Sequence, residues 1–133
     1  MFGYVAGLPA FLAYFLTGVI ALGLFAVAYS AATPHHELRL IRTGNTAAVV
    51  AFLGAILGFS LPLASAAANS VSIVDFLIWA LVGGLVQGVA FLGASLTMSG
   101  LAARITAGEM AGGTWAAGIA VAVGMLNAAC MTY

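Results

Sequence analysis

Charge is the scarcest property of this sequence. Its 133 residues include three basic and three acidic side chains, and none of the basic ones is lysine. Charged residues make up 5% of the chain, whereas an ordinary soluble domain carries about 25%. Three scattered arginines also form no basic patch of the kind that binds nucleic acid phosphates. The composition therefore excludes an ordinary soluble domain and gives no support to nucleic acid binding.

Cysteine and an N-terminal positive charge are also scarce. The one cysteine, Cys130, has no partner for an internal disulfide, and its apolar surroundings favour packing as a small hydrophobe. The start of the chain, MFGYVAGLPAF, has no positively charged segment, and the apolar stretch 11–32 is too long for the hydrophobic region of a signal peptide. We therefore predict that this stretch is a transmembrane helix of the mature protein.

Long apolar stretches dominate what is present. Hydrophobic residues make up 65% of the chain, and about 20 mostly apolar residues of helix cross a hydrocarbon core about 30 Å thick. Four such stretches cover roughly residues 8–32, 46–68, 73–98 and 112–131. The sequence therefore predicts one all-α membrane domain, residues 1–133, with four transmembrane helices.

The arginines indicate an orientation. Arg39 and Arg42 lie in the first connection and Arg104 lies in the third, while the second connection and both termini contain none. Basic residues are retained on the cytoplasmic side of a membrane. We therefore predict that the first and third connections are cytoplasmic and that both termini lie outside.

The two halves of the chain resemble each other. A shift of 64 positions places IRTGNTAA on ITAGEMAG, with Gly44 on Gly108 and Gly54 on Gly118. We predict two tandem helical hairpins of the same orientation, about residues 8–68 and 73–131. Their pseudo-twofold axis would run along the membrane normal, which disfavours a transport mechanism based on inverted repeats.

Polar residues before the spans are typical of helix starts. Ser72 with Asp75, and Thr106 with Glu109, match the capping-box pattern. Asn45 or Thr46 can cap the second span. Asp75 could instead bind a cation, but intramembrane acids indicate function chiefly when they lie well inside the core, so capping is the favoured interpretation.

The first connection invites two interpretations. Thr33 and Pro34 are typical of a helix start, and such a helix would place Arg39 and Arg42 near lipid phosphates. The neighbouring His35, His36 and Glu37 suggest a metal site. Adjacent histidines diverge by about 100° on a helix, however, and no second cluster completes a coordination shell, so we predict no metal and no cofactor. Proton sensing by these histidines stays open.

Small residues recur at helical spacing within the spans. Such stripes allow helix backbones to approach closely in lipid, and we expect some of them to pack identical subunits together. The first stripe contains Gly54, Gly58, Pro62, Ser65 and Asn69, the second contains Gly84 and Gly88, and the third contains Gly113, Ala117, Ala120, Gly124 and Asn127.

A few polar positions inside the spans carry the remaining functional signal. An unpaired amide is costly in the membrane, so Gln87 should bond across helices or to water. Pro62 cannot donate to the carbonyl of Gly58. Pro62, Ser65, Asn69 and Asn127 could converge in a polar vestibule open to the outside. Hydrogen bonding between helices is the favoured alternative.

The strings HELRLIRTGNTAAVVAFLGAILGFSLPLASAAANSVSIVDFLIW and AVGMLNAACMTY resemble bacterial inner-membrane proteins grouped as domain of unknown function 350, the YjfL-like proteins. The resemblance covers nearly the whole chain and implies four transmembrane helices in the inner membrane. It supplies no catalytic residues. Family members also resemble components of envelope-stress gene sets that include a phage-shock-protein-A-like partner.

Three classes of function remain. The leading hypothesis is a non-enzymatic, homo-oligomeric membrane module linked to envelope stress or membrane maintenance, with a cytoplasmic peripheral partner at the basic loops. The alternative is a channel or transporter for a small ion or solute, based on Gln87, Pro62 and Asn127. We predict that the protein is not an enzyme, because no nucleophile or second acid accompanies His35, His36 and Glu37.

Overall fold

The computed structural model describes residues 3–34 and 37–131, and every regular element in these ranges is helical. Four of the helices are long and apolar enough to cross a membrane, which confirms the predicted number of spans. The helix of the first span begins at Gly3, five residues before the predicted start of the span. The helix of the last span begins at Met110, whereas the prediction was about residue 112. The helices are α1 (Gly3–Ala32), α2 (Glu37–Arg42), α3 (Thr46–Asn69), α4 (Ile73–Thr97), α5 (Leu101–Thr106) and α6 (Met110–Cys130).

The short helices α2 and α5 end in the same way. Gly44 and Gly108 adopt φ angles of 86° and 81°, which glycine reaches without steric cost. After α2, the N–H of Gly44 donates to Ile41 and that of Asn45 donates to Leu40, both at 3.0 Å. The equivalent bonds after α5 run from Gly108 to Ile105 and from Glu109 to Arg104, both at 2.9 Å. Both ends are therefore Schellman motifs, 64 positions apart.

Side chains cap the starts of α3 and α4. The side-chain oxygen of Asn45 accepts from the N–H of Ala48 at 3.0 Å. Ser72 occupies the N-cap position of α4, where its hydroxyl accepts from the N–H of Asp75 at 3.1 Å. The carboxylate of Asp75 accepts in turn from the N–H of Val71 at 3.1 Å. These bonds satisfy N–H groups that a helix start leaves without partners.

Two predicted helix starts are wrong. Thr106 ends α5 and its hydroxyl donates to the carbonyl of Ala102, so it forms no capping box with Glu109. Glu109 is itself at the N-cap position of α6, but its side chain makes no capping bond because the carboxylate pairs with Arg104. Thr33 does not start α2, since its hydroxyl donates back to the carbonyl of Ser30. His35 and His36 lie outside the described residues.

The spans differ in how far they are buried. α3 and α6 run side by side in the same direction at the centre, and α4 packs against both. α1 packs on α3 and α4, running parallel to α4, and within the described ranges it makes no extensive contact with α6. Of the most apolar 18 residues of α3, half are buried inside the bundle, whereas 6% of the corresponding residues of α1 are buried. α1 is therefore a peripheral helix on a three-helix centre.

Candidate functional site

The centre of the subunit is a close contact between the first and third small-residue stripes. A Cβ on Gly54 would overlap Ala117, and one on Gly124 would overlap the backbone of Gly58. A Cβ on Gly113, at the start of α6, would overlap the carbonyl of Ala47. Absence of side chains is thus required for α3 and α6 to approach this closely.

This contact joins residues that the sequence repeat relates. Ser65 donates to the carbonyl of Ala128, 63 positions further along the chain. The contacts of Gly54 with Ala117 and of Gly58 with Gly124 also join residues separated by close to the repeat offset of 64. Equivalent parts of the two halves therefore lie against each other along α3 and α6.

Gln87 lies where α4 meets this contact. Its side chain is completely buried, and its amide nitrogen donates to the carbonyl of Ala120 at 3.0 Å. The same nitrogen lies against Gly58, where a Cβ would collide with it. The amide oxygen has no hydrogen-bond partner among the described residues. Gln87 therefore ties three spans together and retains one unused acceptor.

Pro62 lies next to this group without breaking α3. It is fully buried within a helix that runs unbroken from Thr46 to Asn69, and its ring packs on Gly83 of α4. Because proline has no N–H, the carbonyl of Gly58 receives no bond from within α3. That carbonyl points at Gly124, whose missing side chain permits the approach. A weak Cα–H contact can partly satisfy it.

The predicted outer polar group lies in the same helix contact. The hydroxyl of Ser65 donates to Ala128 at 3.3 Å, and the amide of Asn69 donates to the carbonyl of Ser65 at 2.8 Å. The amide nitrogen of Asn127 is buried and has no partner in the described part of the chain. Ser65 and Asn69 thus make short-range bonds within and between helices, as the helix-contact interpretation expects.

The predicted glycine stripe of α4 behaves differently. A Cβ on Gly84 would lie in ordinary contact, 3.7 Å from Phe25 and 3.8 Å from Phe59. A Cβ on Gly88 would meet no described atom within 4 Å. Both glycines instead line a groove between α1 and α4. Within the described subunit, this stripe therefore supports no close backbone approach.

The short helices gather the basic residues at one end of the bundle, which we call the α2/α5 end. Arg39 and Arg42 are exposed on α2, while Leu38 and Ile41 pack inward. Arg104 forms an ion pair with Glu109 at 3.0 Å. The amide of Asn45 joins the two connections by donating to the carbonyls of Ile105 at 2.9 Å and Thr106 at 3.1 Å.

The same end contains polar residues whose burial the sequence did not predict. Glu37 is completely buried at the start of α2, and Ser30 and Thr33 are buried beside it at the end of α1. The hydroxyl of Ser30 accepts from the N–H of Leu38 at 3.0 Å, which fixes α2 against α1. An acid among so few charges was the available signal, but Glu37 was considered only as a metal ligand beside His35 and His36, a hypothesis that the sequence disfavoured.

Within residues 3–34 and 37–131, no group of three metal-ligating side chains occurs. The polar side chains at the centre bond mainly to backbone carbonyls of neighbouring helices. Such an arrangement can fix the relative positions of helices and can hold an unused acceptor ready for a ligand or a neighbour.

Comparison with known proteins gives a consistent result. A family model described as Domain of Unknown Function (DUF350) matches residues 3–131. The chain is 44% identical over 126 residues to the UPF0719 inner membrane protein YjfL of Escherichia coli strain K12, with 95% of this chain and 96% of that protein covered. The protein of the same name from Escherichia coli O157:H7 is similar to the same extent. No solved structure matches.

Proposed function

The chain belongs to the DUF350 family, and we propose that it acts as a non-enzymatic, homo-oligomeric module for membrane maintenance or envelope stress. It is similar to inner membrane proteins, and four of its helices are long and apolar enough to cross a membrane. In this proposal the chain forms two tandem hairpins, with both termini outside and the α2/α5 end in the cytoplasm. A cytoplasmic peripheral protein would dock at that end, where Arg104 and Glu109 offer exposed charges of both signs.

The observation that carries the proposal is an uncovered face of small residues on α6. We call this the outer face of α6. Its residues recur at helical spacing, and each of them is exposed. A Cβ on Gly118 at its middle would meet nothing within 4 Å. The face consists of the small residues Ala111, Thr114, Gly118 and Ala122, ends at the large Met125, and is bordered by Trp115.

The repeat explains why this face is uncovered. α4 packs against both central helices, and a symmetric arrangement would place α1 against both as well. α1 instead lies on α3 and α4, so the side of α6 that a symmetric α1 would cover is free. Small residues on such a side permit a second copy to approach closely. Close packing of this kind drives association of helices in lipid, where the hydrophobic effect does not. We therefore assign the contact between copies to α6 against α6.

Cysteine crosslinking in native membranes tests this assembly. Gly118→Cys, made in a Cys130→Ala chain, should form a dimer through a short thiol crosslinker because the twofold contact brings the two thiols together. Gly23→Cys is the matched control, since Gly23 is an exposed helical glycine of α1 that also has nothing within 4 Å. Equal crosslinking at both positions, or monomers at both, would contradict the α6 contact.

The orientation has its own measurement. In the same Cys130→Ala chain, a membrane-impermeant maleimide added to intact cells should label a cysteine introduced at Val71, which is exposed in the second connection. It should label a cysteine at Thr43, exposed after α2, only after the cells are permeabilised. The opposite pattern would reverse the assigned orientation.

The alternative function is a channel or transporter, favoured by the unused acceptor of Gln87 and the unused donor of Asn127. Purified protein in proteoliposomes tests it through the flux of small ions. If the double change Gln87→Leu and Asn127→Leu abolishes a flux that the unchanged protein supports, the polar groups serve permeation. A flux that is absent, or that survives the double change, removes the basis of this alternative.

A further inference from the structure

A groove of about 580 Å³ runs between α1 and α4 on the membrane-facing side of the bundle. Its polar lining is limited to Thr17 and Tyr29, and the hydroxyl of Thr17 already donates to Ala13 in its own helix at 2.6 Å. The groove is therefore suited to hydrocarbon rather than to water. Its apolar lining includes Leu24, Phe25, Phe59, Leu81, Gly84 and Gly88.

Aromatic contacts hold the groove in shape. The rings of Phe25 and Phe59 are stacked, with centroids 4.2 Å apart and an interplanar angle of 6°, and both residues line the groove. Beyond the groove, the ring of Phe76 lies where a Cβ on Gly18 would contact it at 3.7 Å, and it stacks with Tyr14, which joins α1 to α4. Opposite α1, Gly84 and Gly88 present no side chains. The space is thus a feature of the helix packing and does not result from a single rotamer.

The dimensions of the groove fit one hydrocarbon chain. Its α1 wall extends from Thr17 to Ala32, a length of roughly 24 Å at 1.5 Å per residue, which exceeds the ~15 Å depth of one leaflet. The volume divided by this length leaves a cross-section roughly 5 Å across, about half the width of an α-helix. A single acyl chain is narrower than a helix and can lie along this groove, and the experiment below distinguishes it from a helix of a second copy.

One end of the groove lies at the same end of the bundle as two exposed arginines. Tyr29 and Ala32 line that end, and the adjacent Ser30 holds the N–H of Leu38 at 3.0 Å. α2 has six residues and is therefore about 9 Å long, so both of its arginines lie at the same end of the bundle as this end of the groove. Arg39 and Arg42 are exposed, and neither forms an ion pair with a carboxylate in the described ranges.

We propose that the groove between α1 and α4 binds one acyl chain of an anionic phospholipid, whose phosphate is bound by Arg39 and Arg42. Arginine suits a phosphate because its guanidinium can donate two parallel hydrogen bonds. Leu38 and Ile41 pack into the bundle, which leaves the two arginines directed towards the headgroup region. This site is separate from the outer face of α6 and does not depend on the proposed assembly.

Lipid retention by the purified protein tests the site. The protein is reconstituted with equal amounts of phosphatidylglycerol and phosphatidylcholine, exchanged into detergent, and its retained lipids are quantified by mass spectrometry. We expect about tenfold or greater enrichment of phosphatidylglycerol, because each arginine near an anionic lipid contributes appreciably. Gly88→Leu should reduce retention of both lipids severalfold, since its side chain enters the groove. Arg39→Gln with Arg42→Gln should keep retention but remove the enrichment.

Gly93→Leu is the matched control, because Gly93 lies on α4 outside the groove lining and a Cβ there also meets nothing within 4 Å. It should retain lipid as the unchanged protein does. The proposal is overturned if Gly88→Leu and Gly93→Leu retain equal lipid, or if the enrichment survives removal of both arginines. It is also overturned if Gly88→Leu converts a dimer to a monomer without changing lipid retention, because a second copy would then be the occupant.

Discussion

Gly58→Ala should destabilise the protein more than the addition of one methyl group suggests. A Cβ at Gly58 would overlap the carbonyl oxygen of Ala120 and the amide nitrogen of Gln87. The first of these atoms belongs to a helix backbone and cannot rotate away, so α3 and α6 would have to separate. Overpacking of a well-packed core typically costs about 1–3 kcal/mol, and the bond from Gln87 to Ala120, worth about 0.6 kcal/mol on average in a membrane, would be strained as well.

The free energy of unfolding in mixed micelles, measured by titration with a denaturing detergent, gives this cost. Gly93→Ala provides the comparison, since it adds the same methyl to a helix where nothing lies within 4 Å. The gain in helix propensity, at most ~1 kcal/mol, is common to both changes and cancels between them. Gly58→Ala should therefore be less stable than Gly93→Ala by about 2 kcal/mol. Equal stabilities would refute the assigned contact between α3 and α6.

Two further changes probe the polar contacts. Gln87→Met keeps the length of the side chain but cannot donate to Ala120. The free energy of unfolding should therefore fall by about 0.6 kcal/mol, and by no more than about 1.7 kcal/mol. An increase would show that burying the unpaired amide oxygen costs more than the hydrogen bond contributes. Asn45→Ala removes the cap of α3 and both bonds to α5, which should cost about 1–2 kcal/mol and speed hydrogen exchange at the N–H of Ala48. Unchanged exchange at that position would contradict the cap.

The spans and several local features could be predicted from sequence because each depends on nearby residues. Four apolar stretches of sufficient length are enough to define four transmembrane helices. Asn45 and Ser72 precede their helices in a pattern that follows from unsatisfied N–H groups. The prediction for Thr106 and Glu109 failed because the capping-box pattern does not show which other partners are near. The carboxylate of Glu109 pairs with Arg104, and the hydroxyl of Thr106 bonds within α5 to the carbonyl of Ala102.

The contacts between spans could be predicted only in part. The stripes of Gly58 and Gly124 matched a pattern for close packing, and both are in tight contact. Gly88 has the same kind of pattern but lines a groove, because spacing does not reveal which neighbour a helix face receives. The burial of Glu37 was missed for the same reason, since burial at the end of a span depends on how α2 folds back against Ser30.

The repeat and the departures from it together account for the two surfaces to which we assign roles. The two Schellman ends and the contact of α3 with α6 join equivalent positions of the two halves. Perfect equivalence would also place α1 on both central helices, which would cover α6. Because α1 lies beside α4 instead, a groove forms between α1 and α4, and one side of α6 stays exposed. A groove admits a lipid chain, whereas an exposed face made mainly of small residues admits another helix.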